Sequence, residues 1–458
     1  MSNKKTTVGS VSKQVLEYTA GRDIELDRLL VDVDCIATAA HVKMLEQVPC
    51  DVPILSKEEC DKIISSLNEI RVQKNKGKFK IRLSDQDVHL AIERVLTSEL
   101  GDTGKKIHTG RSRNDQVAVD LRLYGKEQLL LILSELTDLI KVLIKFGKRY
   151  QLVPMVGRTH MQPGMPSSVG LWASAHAESL LDDAKLIFHI LEVNDQCPLG
   201  SAASYGVPLP INRELTAALL GFSRVTHNVL YANNSRGKIE SMVLSGMSQI
   251  MLTLSRLAQD LIIFTMPEFN YFILPDSFCT GSSIMPQKNN PDVCELVRAK
   301  SSRVKAAELM VYDIVKAAPS GYNRDLQEAK EPFIDGISIT RSSLTIMSAM
   351  LDATKINKGN LIQGFTKDVF ATDFALELVA DGVPFRDAYQ SVKENLDSLS
   401  KINPIEAVQK KTHTGAPMGL NWKRYQDQIS KVNKNTKKIK RSYEKAVTSL
   451  MGIPYEVR

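Results

Sequence analysis

Apolar residues recur at every third or fourth position through much of the chain, and strict alternation is scarce. The clearest run is Val243, Met247, Ile250, Leu254, Leu257, Leu261 and Phe264, whose steps alternate between four and three. Such an a/d seam is how long helices pack at shallow angles, so it predicts a bundle. The stretch from Leu129 to Phe146 is apolar on more than one face, with Leu136, Leu139, Ile140, Leu143 and Ile144 among its repeats. A helix with so little wetted circumference belongs in the middle of a bundle or between subunits. Ala173, Ser174, Ala175 and Ala177 open a third helix whose small side chains permit close approach of a neighbour. Val293 to Val315 forms a fourth, with Leu296, Val297, Val304, Met310, Val311 and Ile314 expected in the core. The seam and the all-round apolar helix ask for more packing partners than one chain offers, which predicts an oligomer.

Pro49 to Pro53 and Asn75 to Lys80 read as loops within an N-terminal helical domain, residues 1–106. The long helices fill a central domain, 107–358. Gly359 and Gly364 then precede a C-terminal domain of shorter helices, 359–458. The expected fold is all-α, in three domains around a central long-helix bundle; 458 residues are too many for one simple core.

Composition narrows the classes. With 43% hydrophobic and 24% charged residues the chain is an ordinary globular protein and not a disordered one. The net charge of +7 suits an anionic small substrate, or simply a slightly basic surface. The basic run from Lys431 to Arg441 contains no aromatic residue and reads as an exposed helix face, so no nucleic-acid partner is expected. Six scattered cysteines with no Cys-x-x-Cys pair give no metal or redox motif, and no cofactor is expected. The most apolar run, Leu129 to Leu133, soon meets Glu135 and Asp138, which argues against a membrane span. Met1 to Ser12 is polar and lacks a secretory core, so a cytoplasmic location is expected.

The candidate chemistry lies in three blocks. Gly281-Ser282-Ser283-Ile284-Met285-Pro286-Gln287-Lys288-Asn289-Asn290-Pro291 packs a glycine, paired hydroxyls, a lysine, amides and two prolines into eleven positions. That composition lets backbone approach a ligand closely and forbids an ordinary helix. Upstream stand His108-Thr109-Gly110-Arg111-Ser112-Arg113-Asn114-Asp115-Gln116-Val117 and Gly157-Arg158-Thr159-His160-Met161-Gln162-Pro163, where Pro163 is expected to end regular structure. In this order the three blocks resemble the signatures of the fumarase/aspartase superfamily. The arginine-rich spelling of the first is similar to its argininosuccinate lyase family. The likeness runs from about Asp27 to Phe385-Arg386-Asp387-Ala388.

The resemblance implies β-elimination of argininosuccinate to arginine and fumarate, by a homotetramer whose bundles form one core and whose active sites are each shared between three subunits. It implies Ser282 as base, Lys288 as stabiliser of the negatively charged intermediate, and His160 as acid, oriented by Glu295. Ser112, Arg113, Asn114, Thr159, Gln162 and Asn290 would hold the succinate carboxylates, and Tyr322, Gln327 and Lys330 the amino-acid end. Read without the resemblance, Ser282 is equally a turn serine bonding backbone, Lys288 a solvated loop lysine and Tyr322 a half-buried helix-end tyrosine. Ser283 is the neighbouring alternative for the base. The chain also departs from the family. Asp23 stands where a substrate-binding serine is expected, where it either attracts the guanidinium or caps the helix of Leu26, Leu29 and Leu30. Asn289 replaces a frequent lysine, and at Ser235-Arg236-Gly237-Lys238 the family's Ser-x-Arg-Asp arginine reads as displaced by one position. The rival activities are another fumarate-releasing lyase, such as adenylosuccinate lyase, and a non-catalytic crystallin-like protein of the same fold.

Overall fold

In a computed structural model the chain is described over residues 4–6, 9–399 and 402–458. Eleven of its helices carry the functional argument: α1 (Lys13–Ala20), α2 (Asp23–Leu26), α3 (Val31–Leu45), α4 (Lys57–Asn75), α5 (Val88–Leu100), α6 (Arg113–Arg149), α7 (Val169–Asn194), α8 (Lys238–Thr265), α9 (Asp292–Val315), α10 (Lys330–Ala353) and α11 (Trp422–Met451). The strands among the described residues form only two-stranded sheets. The all-α expectation therefore holds.

The long helices α6, α7, α8, α9 and α10 pack side by side, and α11 returns across α6 and α7. Val243, Met247, Ile250, Leu254, Leu257 and Leu261 are all buried, while Phe264 is half-buried against Trp172, Tyr271 and Phe272. Gly246 lets α8 approach α7 closely, since a Cβ there would stand 2.7 Å from Cδ1 of both Ile187 and Ile190. Helices α8 and α9 run antiparallel. Ser248 Oγ donates to Glu308 Oε2 at 2.6 Å midway, Arg298 bonds Gln259 at one end, and Gly237 abuts Val315 at the other.

Two expectations are corrected. The apolar face of Leu129 to Phe146 is covered within the chain: Leu136, Leu139, Ile140, Leu143 and Ile144 are all buried by neighbouring helices. That helix and the seam from Val243 to Phe264, both covered within the chain, therefore make no demand for a second subunit. On α9 only Cys294, Val297, Val304 and Val311 are buried, whereas Leu296 and Met310, expected in the core, face outward. Valines seven residues apart cover one side of α9, and its exposed side carries Leu296, Leu309, Met310 and Tyr312 among Glu295, Arg303, Lys305 and Asp313.

The basic run Lys431 to Arg441 lies along α11, whose buried positions are Tyr425, Ile429, Thr436, Tyr443, Val447, Leu450 and Met451; Lys431, Lys437, Lys438 and Arg441 are exposed. Tyr443 Oη donates to Glu127 Oε1 at 2.6 Å, Tyr455 bonds the same oxygen, and Trp422 Nε1 donates to Gln151 at 2.9 Å. None of the described helices is long and apolar enough to cross a membrane.

The first turn of α6 is fixed by Asp115. Ser112 and Asp115 form a capping box, in which Ser112 N donates to Asp115 Oδ1 at 2.8 Å. The other oxygen, Oδ2, accepts from Gly200 N at 3.0 Å and Ala202 N at 2.8 Å. One fully buried carboxylate thus joins a helix start to a remote loop. Asp115→Ala should lower unfolding stability by about 2–4 kcal/mol, combining a lost cap with two stranded amides. Denaturant unfolding would check this, and Asp115→Asn should recover part of the loss.

Candidate functional site

Six of the expected residues, Ser112, Arg113, Asn114, Tyr322, Gln327 and Lys330, line one cavity of about 280 Å³. They come from the start of α6, the turn before α10 and the first residue of α10. Arg113 Nε donates to Asp87 Oδ2 at 2.6 Å, which orients its guanidinium. Gln327 Nε2 donates to Thr19 O at 3.0 Å, so the last turn of α1 closes one edge. Lys330 Nζ is almost wholly buried, 2.6 Å from Asp27 Oδ1 and 3.0 Å from Asp23 Oδ2. Burial pushes this ammonium's pKa down, but Asp27 and Asp23 outweigh it and hold the pKa above the ordinary lysine value.

Asp23 therefore faces the cavity and Lys330. It does not act as the N-cap of α2, where it is the first helical residue after Arg22. Arg236 also lines the cavity, and its Nη2 donates to Leu326 O at 3.1 Å. A guanidinium is thus delivered to the cavity from the Ser235-Arg236-Gly237-Lys238 segment.

Sequence reasoning missed Asp87, His89, His108 and Arg324, which line the same cavity. The available signal was Asp87-Val88-His89 directly before a helical pattern. Asp87 caps α5, accepting from Leu90 N at 3.0 Å, and the first turn then presents His89. His89 Nδ1 bonds Asp34 and stands 3.7 Å from Asp120 Oδ2. Burial opposes charge on this ring, but Asp34 and Asp87 outweigh it and raise its pKa. Burial, then the nearby Asp34, pushes Asp120 well above the carboxylate range. Behind them, His41 Nε2 bonds Thr109 O at 2.8 Å, and burial followed by Arg111 lowers its pKa to about 3.

The remaining expected residues lie elsewhere in the chain. Thr159, His160 and Gln162 belong to a hairpin of β1 (Pro154–Thr159) and β2 (Gln162–Ser168), with Thr159 paired to Gln162. Pro163 does not end regular structure there: it lies within β2, opposite Arg158. His160 and Met161 form the two-residue turn with φ of 55° and 61°, the left-handed pairing such hairpins demand. Neither residue is glycine, so the turn is strained, a condition that concentrates at functional sites. Ser282 Oγ accepts from Ile284 N at 3.3 Å and Met285 N at 3.1 Å, the bonding of a turn serine. Lys288 is exposed, Asn290 is half-buried beside Pro291, and Glu295 is exposed in the first turn of α9. No hydrogen bond or ion pair joins His160 to Glu295 among the described residues.

These groups sit at the other end of the bundle. Helix α6 leaves the cavity at Arg113 and reaches the hairpin after 37 residues, about 55 Å at the usual helical rise. Arg236 and Tyr322 bracket the cavity ends of α8 and α9, and the Ser282 loop joins their opposite ends, roughly 35–40 Å away.

The family model for lyases matches residues 17–306. The fold resembles that of EDDS lyase in complex with formate, with a TM-score of 0.80 at 21% identity over 97% of this chain and 95% of that one. It also resembles the class II fumarase of Schistosoma mansoni, with a TM-score of 0.69 at 16% identity over 88% and 98%. Sequence relationships are closer. Argininosuccinate lyase of Thermotoga neapolitana is 42% identical over 86% of this chain and 98% of its own length. That of Parabacteroides distasonis is 40% identical over 89% and 90%. The chain belongs to the argininosuccinate lyase family.

His41 yields a prediction about acid stability. Its folded pKa lies below the unfolded value, so the unfolded chain binds the extra proton. Stability should therefore fall as pH drops from about 6.5 toward 3, by roughly 1.4 kcal/mol per pH unit from this group. His41→Gln keeps a donor for Thr109 O and removes the titration. Thermal melts between pH 4 and 7 should show a shallower acid decline in that variant.

Proposed function

We propose that this chain eliminates arginine from argininosuccinate and releases fumarate. The observation that carries the reading is the convergence of Ser112, Arg113, Asn114, Tyr322, Gln327 and Lys330 on one polar cavity in a chain of this family. Cations and neutral donors there suit the carboxylates of the substrate, and Asp23, Asp27 and Asp87 balance them.

In this reading Ser282 removes the carbon-bound proton, the C–N bond breaks, and its electron pair leaves with the guanidino nitrogen. His160, oriented by Glu295, returns a proton to that nitrogen. The negative charge that builds on the adjacent carboxylate is met by Lys288, Asn290, Thr159 and Gln162. The turn around Ser282 supports the base role: two backbone N–H groups point at its oxygen, and hydrogen bonds to the charged form favour an alkoxide.

Proton transfer needs these groups within hydrogen-bond reach, yet they stand a bundle length from the cavity. A site assembled between subunits resolves this, with bundles packed so that the cavity end of one meets the hairpin and loop ends of others. The outward face of α9 supports such packing: Leu296, Leu309 and Met310 are about half exposed, at 56%, 54% and 49%. The assembly in this reading is a cytoplasmic homotetramer.

Following fumarate absorbance after adding argininosuccinate tests the reading, and the absence of turnover sinks it. Ser282→Ala should cost about 10²–10⁴ in kcat, the usual size of a proton-transfer contribution, with helical content unchanged. Near-normal turnover would move the base role to Ser283 or beyond. Mixing inactive Ser282→Ala and His160→Asn proteins under subunit exchange should restore part of the activity. No recovery, with exchange confirmed by native mass measurement, would mean that Ser282 and His160 reach each site from the same subunit.

A further inference from the structure

Lys330 is shared unequally. Two of its three N–H donors are aimed at Asp27 and Asp23, leaving one for any ligand in the cavity. Asp27 is wholly buried and held twice, because its second oxygen accepts Val88 N at 3.1 Å. Asp23 is the looser partner: it lines the cavity, its side chain is 13% exposed, and Lys330 is its side chain's one bonded partner among the described residues. A ligand carboxylate arriving at the same ammonium would bring a third negative charge beside the first two.

Resting on the reaction proposed above, we infer that Asp23 competes with the substrate's amino-acid carboxylate for Lys330, and that this carboxylate binds as Asp23 releases the ammonium and takes up one proton from solvent. The groups facing Asp23 fit that exchange. Asp27, one turn on, and Asp87, at the start of α5, add negative charge, and Lys330 is the cation at bonding distance. Arg113, Arg236, Arg324, His89 and His108 line the rest of the cavity. Burial raises the Asp23 pKa and Lys330 only partly offsets it, so the carboxyl already lies above its ordinary value in the empty site. A bound carboxylate raises it further. Between the empty-site and bound-site values, affinity should fall as pH rises, by up to roughly tenfold per unit for one linked proton, and be flat on either side. Asp23 thus makes the amino-acid end pH-selective for ligands that carry a carboxylate.

Calorimetric titration of the wild-type assembly with L-arginine, in buffers of different ionisation enthalpy near pH 6, reads the protons taken up. L-arginine should bind with net uptake of up to one proton, and L-argininamide, which lacks the carboxylate, with none. In Asp23→Asn the uptake should vanish and KM for argininosuccinate should lose the rise with pH, while kcat changes less than KM. His89 and His108 remain in that variant, so the difference isolates Asp23. Equal uptake with arginine and argininamide, no uptake at all, or uptake unchanged in Asp23→Asn overturns the inference. So does a KM raised at every pH, which would mean that Asp23 holds a cationic group of the substrate. If Asp23→Asn does not fold, the arginine and argininamide comparison still decides. Fumarate release without proton-linked arginine binding leaves the lyase reading standing and removes only this inference; no release removes the lyase reading itself.

Discussion

The stiffness of α6 is the constraint to which the rest of the structure answers. An unbroken helix of 37 residues packed along its length by its neighbours spans about 55 Å, so its two ends cannot approach each other. Asn114 stands in its first turn, and the His160 hairpin follows its last. The antiparallel pair α8 and α9 repeats the arrangement, with Arg236 and Tyr322 at one end and Ser282 at the other. Each chain therefore holds the cavity residues at one end of the bundle and Ser282, Lys288 and His160 at the other, and cannot itself bring them together. Leu296, Leu309 and Met310 on α9 are left exposed between those two ends.

Around the cavity, charge is arranged in held pairs. Arg113 leans on Asp87, and Lys330 is shared between Asp27 and Asp23. The cations are buried far enough to interact strongly but are not left alone, since an unpaired buried charge is costly. Asp115 supplies the mechanical counterpart, tying the Ser112 turn to the loop of Gly200 and Ala202. The walls of the cavity are consequently fixed by carboxylates whose job is to hold other groups in place.

The helices were legible because burial imposes a period. The seam from Val243 to Leu261 could be read directly, since its a and d positions are buried all along the helix. Two things escaped that logic. The helix from Leu129 to Phe146 shows only that all its sides are covered, and sequence does not say whether by the same chain. The hairpin at His160 has exposed tips and no alternation, so neither its strands nor its left-handed turn left a hydrophobic trace. At the cavity, motif residues were recognisable, but Asp87, His89 and Arg324 required three-dimensional convergence to be noticed. Arg236 shows the converse: its place before α8, and not the spelling around it, brings a guanidinium to the cavity wall.

The closure of α11 over α6 has a consequence for biosynthesis. Glu127 is bonded by Tyr443, which lies 316 residues later in the chain, and by Tyr455 beyond it. At roughly 5–20 residues per second a ribosome needs about 15–60 s to travel from one partner to the other. During that time α6 has no C-terminal helix to lie under, and a carboxylate destined for burial remains hydrated. The nascent chain must keep its longest helix soluble with a part of its cover unmade.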